Sequence, residues 1–224
     1  MNSIPLDLAI PGWLVLAALV LAAARELRAS PAPFLPAGAN QHLWLGTIVM
    51  LAFVWSLRVR ALPGLEVGLW FGPLVTLIFG RTRAFLALLA ALVIDTGLGP
   101  EPWLSFGFNA LLLAALPVAL TAGGQALLAR WLPRNVFVFM IGNGLFVVFA
   151  ATALTALVDI AMAVALAPAG SDMQAGDAAA YALLLAWGEA LISGMVFSAL
   201  VIYRPALVLS YDQDRYLPRR GGRP

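Results

Sequence analysis

Long apolar runs separated by short polar connectors dominate this chain of 224 residues. A bilayer-spanning helix needs roughly 20 mostly apolar residues, and runs of that length favour helices over barrel strands, which alternate with period two. We predict seven spans, at about 8–24, 42–57, 64–80, 83–98, 103–130, 135–167 and 178–204. The predicted fold class is therefore all-α, a polytopic bundle of membrane helices.

The composition excludes the water-soluble alternatives. Hydrophobic residues make up 62% of the chain and charged residues only 11%, whereas a soluble domain carries about 25% charged residues. A soluble globular protein, a disordered chain and a nucleic-acid binder are excluded, because too little polar side chain is present to cover a surface that faces water. The chain has no Cys, so disulfides, thiolate metal sites and Cys nucleophiles are excluded as well.

The arginines predict how the bundle is oriented. All thirteen basic residues are Arg, and eleven of them fall on one side of a seven-span arrangement. The other side holds only Arg58 and Arg60. Because positive charge collects in cytoplasmic connectors, we expect the N-terminus outside and the C-terminus in the cytoplasm. We predict a single transmembrane domain over 1–209 and a basic cytoplasmic tail over 210–224.

Four acidic residues fall inside the predicted spans or at their edges. They are Glu66, Asp95, Asp159 and Glu189. An ionisable group in the bilayer costs at least a few kcal/mol, so it usually faces the bundle interior and has a partner. All four lie in the predicted outer half or near the midplane, where they face no buried Arg. Such carboxylates either stay neutral or attract a cation.

These acids, together with Asn109 in the outer half of the fifth span, are the candidate substrate-binding residues. One interpretation is an outward-facing pocket for a cation or another polar substrate, with Asp159, Glu189 and Asn109 inside it. Glu66 and Asp95 would then lie near its mouth. The alternative is that these residues cap helices or form interhelical hydrogen bonds. Glu66 and Asp95 fit this alternative best, because both lie near the membrane interface. Oxygen ligands suit a hard divalent cation and an organic cation alike, so whether a metal binds stays open.

Catalytic machinery is not visible in the sequence. The chain lacks Cys, its single His, at position 42, lies on the opposite side from most of the acids, and no G-x-x-x-x-G-K-[ST] motif occurs. We therefore expect no enzymatic activity, no ATPase activity and no bound cofactor. If the chain transports, the energy comes from a gradient or from another subunit.

Two segments resemble a known family. Residues 65–76, Leu-Glu-Val-Gly-Leu-Trp-Phe-Gly-Pro-Leu-Val-Thr, resemble the F-G-P-x-x-T region of the CbiM/NikM-like substrate-binding membrane components of energy-coupling-factor ABC transporters. Residues 107–110, Gly-Phe-Asn-Ala, resemble the G-x-N segment of those cobalt/nickel-type proteins. An uncharacterised bacterial permease-like branch is more similar still, since it shares His-Leu-Trp-Leu-Gly at 42–46 and Glu-Ala at 189–190. The resemblance covers about 42–205.

The resemblance implies a protein of the bacterial inner membrane that captures a small substrate, with a metal cation among the candidates, from outside. It also implies partners, namely a membrane coupling subunit and cytoplasmic ATPase subunits. The cobalt/nickel proteins begin Met-His and carry a second His before the F-G-P segment, whereas position 2 here is Asn and 58–66 contain no His. The imidazoles that suit nickel and cobalt are therefore missing. An alternative function stays open: a non-transporting membrane subunit that scaffolds or assembles a larger complex.

Overall fold

A computed structural model of the chain describes residues 6–29, 39–57, 59–62, 65–99, 102–133, 135–166 and 175–210. The helices are α1 (Leu6–Ala29), α2 (Ala39–Ser56), α3 (Gly72–Phe79), α4 (Arg81–Leu98), α5 (Phe106–Ala110), α6 (Leu116–Trp131), α7 (Val136–Ile141), α8 (Val148–Ala165) and α9 (Ala175–Tyr203). A hairpin of two antiparallel strands, β1 (Val59–Leu62) and β2 (Leu65–Val67), follows α2. Short 3₁₀ turns lie at Trp103–Ser105 and Pro205–Leu207.

Four helical runs in the described part of the chain are long and apolar enough to cross a membrane. They are Ala9–Ala29, Trp103–Trp131, Val136–Ala165 and Ala175–Tyr203. Large apolar side chains stand exposed on these runs, as at Leu14 and Leu184, and in a membrane such side chains face lipid. The predicted helix-bundle class is confirmed, with the short hairpin as an addition to it. The count of seven spans and the orientation stay predictions.

Two of these runs contain π-helical stretches. Leu111–Ala115 joins α5 to α6, and Gly142–Val147 joins α7 to α8. The second stretch lets helices come close, because a Cβ added at Gly144 would lie 3.3 Å from the Cα of Gly194 in α9. The backbones of the two helical runs therefore meet at this pair of glycines, and α8 packs directly beside α9.

The predicted third span, 64–80, is wrong as a continuous helix. The hairpin extends to Val67, a non-helical stretch covers 68–71, and α3 has only eight residues. Pro73 lies in the first turn of α3. Backbone N–H groups in that turn have no partner within the helix, so the N–H that proline lacks costs no hydrogen bond, and Pro73 begins a helix rather than interrupting one. All eight residues are buried. The helix is therefore enclosed by its neighbours, including α4, α6, α8 and α9.

The chain after α9 packs against the C-terminal end of α3. The backbone N–H of Leu209 donates to the carbonyl of Ile78 at 2.7 Å, and the Ser210 hydroxyl donates to the carbonyl of Leu77. Carbonyl groups in the last turn of a helix lack partners within it, and this segment supplies them. The predicted cytoplasmic tail stays a prediction, because 211–224 lie outside the described residues.

Candidate functional site: a cleft between α8 and α9

A partly open cleft lies between α8 and α9. It is lined from α8 by Thr152, Thr155, Ala156, Asp159 and Ile160, and from α9 by Ala182, Leu185, Ala186 and Glu189. On each helix these residues follow a spacing of three, four and seven, which places side chains on one helix face. The two helices therefore turn matched faces toward one space, which Gly68, Trp70 and Leu113 complete.

The two acidic residues lie at different depths in this cleft. Asp159 comes six residues before the end of α8, or about 9 Å from it at the helical rise. Glu189 comes 14 residues after the start of α9, or about 21 Å from it. Asp159 therefore lies nearer the helix ends and is partly buried, and Glu189 lies deeper and is buried; these two positions are called the mouth and the floor of the cleft. The arginine distribution predicts that the mouth faces the outside of the cell.

Glu189 is buried at the floor and is held by three hydrogen bonds. Its side chain is 1% exposed. One carboxylate oxygen accepts the backbone N–H of Trp70 at 2.8 Å, and the other accepts the N–H of Phe71 at 3.0 Å. The Thr152 hydroxyl donates to the second oxygen at 3.2 Å. The carboxylate is thus surrounded by donors that belong to the protein itself.

These bonds place the carboxylate at the N-terminal end of α3. Among the described residues, no neighbouring side chain caps that helix. Glu189 lies 118 residues from Phe71 in the sequence and acts there as a remote cap. Peptide dipoles favour negative charge at a helix N-terminus. This position gives the buried carboxyl group of Glu189 its hydrogen-bond partners, although the sequence offers no cationic side chain there.

The stretch that Glu189 holds has a strained backbone. Phe71 has φ 54° and ψ 11°, in the left-handed region that bulky residues rarely adopt. Strain of this kind persists only where the surroundings hold it in place. Besides the contacts to Glu189, the indole N–H of Trp55 donates to the carbonyl of Trp70 at 3.2 Å. Glu189 and Trp55 therefore fix the segment that forms the third wall of the cleft.

The threonines on the α8 face present oxygen acceptors to the cleft. The Thr155 hydroxyl donates to the carbonyl of Ala151 at 2.8 Å, and the Thr152 hydroxyl donates to Glu189. Because each hydroxyl carries one hydrogen, both oxygens turn only lone pairs toward a ligand. Asp159 is partly buried near the mouth, and an ionised carboxylate accepts hydrogen bonds but donates none. The face suits a cation or a hydrogen-bond donor.

Of the five predicted site residues, Asp159 and Glu189 line the same cleft. Asn109 is buried in α5 and Asp95 lies one turn from the end of α4, and neither belongs to the described lining of the cleft. Glu66 lies in β2 of the hairpin rather than at the start of a helix. The assignment of all five as substrate ligands stays a prediction.

Sequence patterns alone do not single out Thr152, Thr155 or Trp70, which also line the cleft. A signal for the two threonines exists, since they precede Asp159 by seven and four residues and so share its helix face. No such signal exists for Trp70, because it lies in a non-helical stretch that hydropathy alone predicts to be helical. Within the described residues, no group of three or more His, Cys, Asp or Glu could hold a metal ion.

Known proteins share this architecture. A solved structure described as a truncated transition metal transporter superimposes with a TM-score of 0.71 at 16% sequence identity, over 89% of this chain and 96% of that one. At that identity the likeness establishes the fold alone. Among curated proteins, none matches the chain. The family model CbiM, described as the cobalt uptake substrate-specific transmembrane region, matches residues 2–207. The chain therefore belongs to the CbiM family of multi-pass membrane proteins, as the resemblance predicted.

Proposed function

We propose that this chain is the substrate-capturing membrane subunit of an uptake transporter of the energy-coupling-factor type. The cleft between α8 and α9 would receive a small cation from outside. The observation that supports this most directly is the acidic cleft itself, in a chain of a family described by substrate-specific cobalt uptake. A carboxylate flanked by low-dielectric walls attracts a cation more strongly than one in water. Asp159, near the mouth, would meet the substrate first.

Other subunits would supply the energy. The sequence has no P-loop motif, so we assign this chain substrate binding and no enzymatic activity of its own. A membrane coupling subunit and cytoplasmic ATPase subunits are the partners that the family implies. Arg81, Arg83 and Arg204 lie at the predicted cytoplasmic ends of α4 and α9, where such partners would be docked.

Co-purification tests this function. The tagged chain, extracted in mild detergent from the cells that encode it, should bring down a P-loop ATPase and a second membrane subunit. Asp159→Asn should leave this association intact, because the residue lies at the opposite end of the bundle from the arginines. Absence of any ATPase under conditions that keep the bundle folded would overturn the assignment.

The scaffold function has its own support. The described residues contain no three-ligand metal cluster, and the carboxylate of Glu189 already serves Trp70 and Phe71. Both facts fit a bundle in which buried polar groups stabilise structure. Recovery of a respiratory, photosynthetic or biosynthetic complex in place of an ATPase would establish that function instead.

A further inference from the structure

We propose that α3 is a rigid link through which the segment 205–210 controls the cleft wall that Gly68 and Trp70 form. When a partner docked at the predicted cytoplasmic face displaces this segment, α3 shifts and the wall moves with it. The inference rests on the proposed function, because it concerns how the cleft proposed there is regulated. Its supports are the hydrogen bonds at both ends of α3, the burial of that helix and the strained residue at its start.

Both ends of α3 are hydrogen-bonded to α9 or to the chain that follows it. At the N-terminal end, Glu189 of α9 accepts two backbone N–H groups. At the C-terminal end, the backbone N–H of Leu209 donates to the carbonyl of Ile78 at 2.7 Å. The Ser210 hydroxyl donates to the carbonyl of Leu77. Because α3 has eight residues, its ends lie about 12 Å apart, and α9 with its extension fixes both of them.

The helix α2 contacts the same two places. Near its start, the side-chain amide of Asn40 donates to the carbonyl of Ala206 at 3.4 Å. Near its end, the indole N–H of Trp55 donates to the carbonyl of Trp70 at 3.2 Å. Both donor side chains are buried. The segment 205–210 and the cleft wall are therefore held by the same two helices, so a displacement of one alters the supports of the other.

Between these two places, α3 is buried and regular. All eight of its residues are buried, against neighbours that include α4, α6, α8 and α9. The Thr76 hydroxyl adds a hydrogen bond of 2.9 Å to the carbonyl of Gly72, inside the helix. Packed interiors of this kind have low compressibility and transmit strain. A shift at the C-terminal end of α3 is therefore passed to its N-terminal end and is not absorbed within the helix.

Phe71, at the N-terminal end, is the point that can yield. Its φ of 54° and ψ of 11° lie in the left-handed region, which is unfavourable for a residue with a Cβ atom. The conformation is held by Glu189 through the N–H group and by Val75 through the carbonyl. A shift of α3 loosens these contacts, so Phe71 can relax to a negative φ. Trp70 precedes it directly and lines the cleft, and its side chain moves with that change.

The segment 205–210 can be reached from outside the bundle. Val208 is buried in the core and anchors the segment. Ala206 within the segment and Arg204 directly before it are exposed. A partner at the predicted cytoplasmic face therefore contacts the segment without entering the bundle, and it acts on the cleft wall by displacing the anchor.

Hydrogen exchange of the purified full chain, measured by mass spectrometry on peptides that cover 68–76, tests the link. Leu209→Pro combined with Ser210→Ala removes both donors to the C-terminal end of α3. The amides of Trp70 and Phe71 should then exchange about fivefold faster or more, because two lost hydrogen bonds correspond to a factor of about 5–30 in an opening equilibrium. Ser210→Ala alone should accelerate them about twofold, and it decides the question if the double variant does not fold.

Two further variants separate a link from general loosening. Leu16→Ala removes a buried side chain from α1, and it should not accelerate the amides of Trp70 and Phe71 more than those of other core residues. Glu189→Gln keeps the size of the side chain and replaces one acceptor oxygen. It should accelerate exchange of the Leu209 amide at the far end of α3, because the coupling between two sites is reciprocal.

The outcomes separate the inference from the proposed function. Acceleration confined to the C-terminal end of α3, or spread evenly over the bundle as expected for Leu16→Ala, overturns the link. Hydrogen exchange needs neither a substrate nor an ATPase, so this failure leaves the proposed transport function intact. If the amides of Trp70 and Phe71 respond but no ATPase co-purifies, the link stands as a property of the fold and the transport function fails.

Discussion

The two acidic residues of the cleft, Glu189 and Asp159, differ in how deeply they are buried. At the floor, Glu189 is 1% exposed and accepts hydrogen bonds from Trp70, Phe71 and Thr152. At the mouth, Asp159 is partly buried and lines the same cleft. Glu189 stabilises a helix end, while Asp159 lies at a more exposed position. A carboxyl group inside a membrane helix therefore does not by itself indicate a ligand site, because backbone N–H groups at a helix N-terminus can also be its partners.

Glu189→Ala should have the largest effect on stability. The substitution leaves the N–H groups of Trp70 and Phe71 buried beside a void, and each unsatisfied buried group costs about 1–3 kcal/mol. We expect the free energy of unfolding to fall by about 3 kcal/mol or more. Unfolding by SDS in mixed micelles, followed by tryptophan fluorescence, measures the loss.

Asp159→Ala is the matched control for that substitution. It removes a carboxylate from the same cleft at a partly buried position, so its cost should be smaller than that of Glu189→Ala. Equal losses for the two variants would show that floor and mouth are energetically alike, which contradicts the distinction between them.

Thr152→Val should have the next largest effect. The hydroxyl of Thr152 donates to the buried carboxylate at 3.2 Å, and hydrogen bonds to charged groups contribute about 1.5–3 kcal/mol. Because the bond is long, we expect a loss near the lower end of that range. Thr155→Val is the control, since its hydroxyl donates to a carbonyl four residues earlier in the same helix. That change should lower the free energy of unfolding by no more than about 0.5 kcal/mol. A larger loss for Thr155→Val than for Thr152→Val in the same unfolding assay would contradict this expectation.

The sequence predicts the mouth of the cleft better than its floor. Asp159 stands out as an acid in an apolar run, and helical spacing places it on a face with Thr152 and Thr155, because both properties are local. Two of the three partners of Glu189 are backbone groups 118 and 119 residues away, in a segment whose hydropathy resembles that of a span. A local signal of a helix start does exist there, since Pro73 directly follows Gly72.

The other predicted site residues show that sequence patterns alone do not predict which side chains meet in space. Asn109, Asp95 and Asp159 are alike in sequence, since each is a polar residue within an apolar run. Which of them meet in space depends on how the helices pack, and the π-helical stretch Leu111–Ala115 begins two residues after Asn109. Such a stretch rotates the residues on either side of it relative to a regular helix, so a helical wheel drawn from the sequence misplaces them.

Ser210→Ala should have a smaller effect at the other end of α3. The Ser210 hydroxyl donates to a carbonyl in the last turn of that helix, and a neutral hydrogen bond contributes about 0.5–1.5 kcal/mol. Because the backbone N–H of Leu209 still reaches Ile78 in the variant, we expect a loss of about 0.5 kcal/mol. A loss as large as that of Glu189→Ala would mean that both ends of α3 are stabilised equally. That result would contradict the larger contribution expected from Glu189.

Glu26→Gln should have the smallest effect. Its carboxylate lies 3.2 Å from the guanidinium of Arg81, with side-chain exposures of 51% and 65%. Exposed ion pairs contribute about 0–1 kcal/mol, because water and salt screen them and both side chains lose freedom. We expect a change of about 0.5 kcal/mol or less, which shrinks further when unfolding is repeated at high salt. The same repeat on Glu189→Ala should leave its loss unchanged, since the buried donors are shielded from ions. A strong salt dependence for Glu189→Ala would show that its carboxylate is solvated, and the remote helix cap would then be wrong.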